Sequence, residues 1–117
     1  MAAISSILIA ITMFFGTWGL DSTEVGAFAY EAGEENHMTV SFYEDDICRL
    51  MRQGESFEGM WYFDEDEQTG KAMFPGIQTV FELEMNTDDD GIMELRMTDT
   101  DDIFYVYCFS FMGNTGE

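Results

Sequence analysis

One stretch, from Gln78 to Met112, limits what this chain can fold into more than any other. It reads as three consecutive antiparallel strands over 78–85, 92–98 and 103–112, joined by acidic turns at 86–91 and 99–102. Phe81, Leu83 and Met85 fall on one face and Glu82 and Glu84 on the other, the two-residue period of a half-buried strand. Met93, Leu95 and Met97 alternate with Glu94 and Arg96 in the same way. The third strand is apolar or aromatic on both faces, with Ile103, Tyr105, Tyr107 and Phe109 opposite Phe104, Val106 and Cys108. It is therefore expected to lie deepest.

The same pattern runs back towards the N-terminus. A short strand opens at 16–20, an apolar run follows at 25–30, and the polar stretch 31–37 is a loop with Gly33 and Asn36. Strands are expected at 38–43, 47–52, 56–63 and 71–74, each bounded by Gly or Asp turns. Pro75 is the one proline and falls at a turn, where it removes no ladder donor. Seven or eight short strands at regular spacing give an all-β antiparallel up-and-down meander. Closing it into a small barrel would remove its exposed edges.

Length and charge narrow the alternatives. A chain of 117 residues holds one core, and 46% apolar content argues against disorder. Twenty-four acidic residues face only Arg49, Arg52, Lys71 and Arg96, a net charge of −20. Such a field repels nucleic acid and anionic lipid, so no nucleic-acid partner is expected. Cys48 and Cys108 match no zinc or CxxC spacing, which leaves two buried thiols or one long-range disulfide. Residues 1–15 form an apolar N-terminal segment before a barrel domain at 16–117. No Lys or Arg precedes Arg49, so the segment has neither a basic signal region nor an orienting charge. Three readings stay open for it: a helix or strand packed on the domain, a membrane anchor or self-association device, or a targeting remnant.

Gly16-Thr17-Trp18 opens the first strand, Met38-Thr39-Val40-Ser41-Phe42 precedes an acidic turn, and Phe57-Glu58-Gly59-Met60-Trp61-Tyr62 repeats the Gly-x-Trp. With the final aromatic strand, this order resembles the small lipocalin-like, calycin-type domains of bacterial proteins, over roughly residues 15–112. The resemblance implies an up-and-down barrel, binding rather than catalysis, an enclosed apolar ligand and an extracytoplasmic or cell-envelope setting. This chain departs from the group's usual lipid-attached cysteine, since no Cys precedes Cys48.

The candidate ligand-binding residues are Trp18, Trp61, Phe81, Leu83, Met93 and Leu95. Eight of the ten methionines fall in strand-like segments, where Met fills irregular apolar space or lines an adaptable pocket. Residues 86–91 match the first half of a calcium loop, but position twelve is Met97 rather than a glutamate, so a hairpin turn explains them better. His37 is the sole histidine and sits in a loop, and the abundant carboxylates look like turn residues. No enzyme, cofactor or metal centre is expected. Two functions remain: a binding module for a small apolar ligand, or an acidic β-domain that acts by interaction or assembly, with membrane contact or self-association through residues 1–15.

Overall fold

The computed structural model describes residues 14–33, 37–87 and 89–113. Nine strands follow one another: β1 (Gly16–Val25), β2 (Phe28–Glu31), β3 (Met38–Phe42), β4 (Ile47–Arg52), β5 (Glu55–Asp64), β6 (Thr69–Phe74), β7 (Thr79–Thr87), β8 (Met93–Asp99) and β9 (Tyr105–Gly113). Each of β3 to β8 pairs antiparallel with its successor, and β1 pairs with both β3 and β9, closing eight strands into a barrel. The all-β antiparallel barrel expected from the alternation is thus present, an architecture consistent with the lipocalin-like resemblance.

Alternation sets which side chains face inward. On β3, Met38, Val40 and Phe42 are buried between half-exposed Thr39 and Ser41. On β7 and β8, Phe81, Leu83, Leu95 and Met97 are buried as the period of two requires. The turns follow their chemistry. Gln53 and Gly54 both have positive φ, the conformation of a tight two-residue hairpin, and join β4 to β5. Pro75 starts a single 3₁₀ turn, Pro75–Ile77, between β6 and β7.

Two expectations need correction. The opening strand does not end at 20 but runs to Val25, and the apolar run at 25–30 is broken by Gly26, whose φ of 62° turns the chain and sends β2 back along the second half of β1. β1 is therefore shared: Gly16–Gly19 pair with β3, whereas Ser22–Val25 pair with β2. A register shift between Leu20 and Ser22 accompanies this change of neighbour on the β9 side. Nor is the last strand the deepest. Phe109 is fully buried, but Tyr105, Phe111 and Met112 are exposed, and Ile103 and Phe104 lie in the preceding turn with most of their surface in solvent. Phe111 still meets Trp18 at 5.2 Å, and Met112 alternates with it to the opposite face of the strand.

Residues 1–13 lie outside the described residues, and so do the readings that placed an anchor or targeting remnant there. Phe14 and Phe15, assigned by sequence to that N-terminal segment, pack on the barrel. The Phe14 ring lies 6.1 Å from Phe42 and 5.8 Å from Trp61, and Phe15 meets Trp61 edge-on at 5.8 Å. No helix among the described residues is long and apolar enough to cross a membrane.

Candidate functional site

The two Gly-x-Trp motifs share one physical logic. Each glycine permits a close approach that its tryptophan then covers. A methyl at Gly59 would meet the Met73 carbonyl and lie 2.8 Å from the Phe74 ring, and one at Gly16 would lie 2.8 Å from the Gly113 carbonyl oxygen. Trp18 is wholly buried beside Phe111, at 5.2 Å, and donates its indole N–H to the Phe14 carbonyl at 3.0 Å. Trp61 packs on Phe42 at 5.1 Å and donates to the Tyr43 carbonyl at 3.1 Å. Both indoles thus have the N–H partner that burial demands.

Of the six sequence-derived candidates, Trp18, Trp61, Phe81, Leu83 and Leu95 converge inside the barrel as part of its core. Phe81 touches Phe74 and Tyr107, with ring centroids 6.0 and 6.1 Å away. Trp18, Phe42, Phe74, Leu83, Leu95, Met97 and Phe109 have no exposed surface at all. Surface lining an enclosed water-sized void would still be accessible to water, so the side chains of Trp18, Phe42, Phe74, Leu83, Leu95 and Met97 enclose none. Met93 differs. It is half-buried and, with Phe109, Asp21, Asn86, Thr87, Ile92, Glu94 and Ser110, lines a cleft of about 190 Å³.

The opposite end of the barrel carries a feature that sequence reasoning missed. Cross-strand partners share a face. Tyr30 pairs with Thr23 and Thr23 with Tyr107, while Phe28 pairs with Val25 and Val25 with Tyr105. The ribbon β2–β1–β9 therefore presents Phe28, Tyr30, Tyr105 and Tyr107 on the face continuous with the barrel interior. Tyr107 is anchored to the core, but Phe28 is 69% and Tyr30 56% exposed. Burial raises the Tyr107 phenol above its usual range, Asp99 adds to the effect, and Arg52 opposes it. Arg52 stacks over Phe57, its guanidinium carbon 5.4 Å from the ring centroid. The available signal was the alternation Phe28-Ala29-Tyr30 beside Gly26, obscured by treating 25–30 as one run.

On the outer wall, Arg96 of β8 reaches across β9 to Glu24 of β1 in a two-pronged ion pair of 2.9 and 3.1 Å, with Glu94 at 3.3 Å. The hydrogen bonds from Arg96 hold the Glu24 carboxyl below its ordinary value and raise the guanidinium in turn. Glu24 is more than a third exposed, so solvent screening limits the clasp to about 1 kcal/mol or less. Cys108 lies beneath it, its Sγ 3.6 Å from both partners, and burial raises its pKa.

Both cysteines are free thiols. Cys48 belongs to the interior and Cys108 to the outer wall, so the disulfide alternative has no geometry to support it. Burial pushes Cys48 up to about 12, leaving a thiolate fraction on the order of 10⁻⁴ at pH 8. Ellman's reagent at pH 8 is accordingly expected to find no rapidly reacting thiol in the native protein and both in concentrated urea. Fast native labelling would mean that the wall opens.

Among the described residues, no three His, Cys, Asp or Glu side chains are arranged to hold a metal. The 86–91 turn includes Asp88, which lies outside the described residues; Gly91 takes φ 82° there. Comparison with family models, with curated proteins and with solved structures found no match.

Proposed function

We propose that this chain is a non-catalytic binding module, lipocalin-like in architecture, that engages its target through the exposed end of the barrel rather than through an enclosed cavity. The observation that carries this reading is the contrast between the two ends of one apolar surface. Inside, the large side chains from Trp18 to Phe109 are packed without exposed area; outside, the same face continues into Phe28, Tyr30 and Tyr105, which water now covers. Exposed aromatic clusters of this kind favour interaction.

A second reading draws on Met93. A small apolar ligand could enter by the cleft that Met93 and Phe109 line, displacing flexible methionines towards Trp18, Trp61, Phe81, Leu83 and Leu95. Titration with a long-chain fatty acid, read by tryptophan emission, separates the two. The interaction reading expects no saturable change in the emission of Trp18 and Trp61 while the protein stays folded. A saturable change, weakened in Met93→Ala without loss of melting temperature, would replace it with the enclosed-ligand reading.

A further inference from the structure

Resting on the interaction reading above, we infer that β2 is the docking edge for an extended segment of a partner protein in which apolar residues alternate with lysine or arginine. Three independent features of the ribbon specify that partner.

The first is backbone. β2 stands at the end of the strand order and pairs with β1 alone among the described strands. Antiparallel pairing turns alternate residues towards each neighbour. Ala32 donates its N–H to the Asp21 carbonyl at 2.8 Å, and Phe28 pairs with Val25 across the hairpin. By that parity the peptide groups of Ala29 and Glu31 point away from β1, available to an added strand. No lysine or proline guards this edge.

The second is the face towards the barrel end. Phe28 and Tyr30 project there and are mostly exposed. Every other side chain of an added strand would lie against these two rings, and must be apolar to gain from it.

The third is the other face and the field around it. Glu31 shares the outer side of the ribbon with Ser22, its register partner, and is exposed. The intervening side chains of an added strand would meet this carboxylate within a molecule of net charge −20, where a cation is drawn in and an anion repelled. A second copy of the chain would bring the same negative charge against itself, and an anionic membrane would fare no better.

The experiment uses the ¹⁵N-labelled full chain and a short synthetic peptide alternating lysine and valine, with a glutamate–valine peptide as control. Saturable amide shifts are expected at Phe28, Ala29, Tyr30 and Glu31, with slowed exchange of the Ala29 and Glu31 amides and affinity that falls as sodium chloride rises. The double variant Phe28→Lys, Tyr30→Lys should weaken binding about tenfold or more while its melting temperature stays within a few degrees of wild type, because both side chains are exposed. Equal binding of the glutamate peptide would overturn the inference. So would shifts centred on Ile47, Met60 and Met73, the apolar row of the outer wall, or binding that the double variant leaves unchanged. Shifts that depend on protein concentration alone would assign the edge to a second copy, and shifts with phosphatidylcholine vesicles but not the peptide would assign it to lipid. Any of these leaves the wider interaction reading to the fatty-acid titration, which tests it separately.

Discussion

Gly59→Ala is expected to cost the barrel about 3 kcal/mol, at the upper end of what overpacking a core costs. The added methyl would fall on the Met73 carbonyl of β6 and within 2.8 Å of the buried Phe74 ring. Neither can retreat easily: the first is backbone held in the β5–β6 and β6–β7 ladders, and the second has no exposed surface. The fitting control is Gly54→Ala. Gly54 has φ 79° and open space around it, so alanine there meets only the left-handed backbone penalty of about 1–2 kcal/mol. Urea melts of the two variants should differ in midpoint with similar slopes. If Gly59→Ala proved as mild as Gly54→Ala, the β5–β6 wall would be looser than this packing implies.

A larger loss is expected at Trp18. Trp18→Ala removes a wholly buried indole beside Phe111 and leaves the Phe14 carbonyl without its donor. Truncation of a buried large aromatic costs about 3–5 kcal/mol, a substantial share of the roughly 5–15 kcal/mol that holds a typical domain together. Trp18→Phe distinguishes the two contributions, since it keeps most of the ring volume but not the N–H. Its expected cost is about 1–3 kcal/mol, the penalty for an unpaired buried acceptor. Thermal melts followed by near-ultraviolet circular dichroism measure both. A cost below about 1 kcal/mol for Trp18→Ala would show that Phe14 and Phe15 do not close that end of the barrel.

The barrel was legible in the sequence because alternation is a local property. Met38, Val40 and Phe42, or Phe81 and Leu83, declare their inward face without reference to any other strand. The buried indoles were legible for a similar reason: a Gly-x-Trp places a bulky ring next to a position that accepts no side chain. What escaped was the detail at the seam, where β1 meets β2, β3 and β9. Ile103 and Phe104 are exposed because they fall in the turn before β9, which their own hydropathy does not announce. The Gly26 hairpin carries only one glycine of turn chemistry, and Ala27 hides it within an apolar run. The Arg96–Glu24 clasp joins residues 72 positions apart across an intervening strand. Alternation cannot reveal such a pair.

The closing seam also sets the order of events when the chain folds. β1 finds its barrel partners in β3, nearby in sequence, and in β9, so distant that the bond from Ser110 to Asp21 spans 89 positions. β3 to β8 can zip up hairpin by hairpin as they leave the ribosome, each contact local and quickly made. The seam must wait for β9 to emerge, and until then the nascent sheet has two open edges and an uncovered apolar face. Such a topology folds slowly, and its half-finished forms are prone to stick to one another. A net charge of −20 that burdens the finished barrel would, during that interval, oppose contact between unfinished copies.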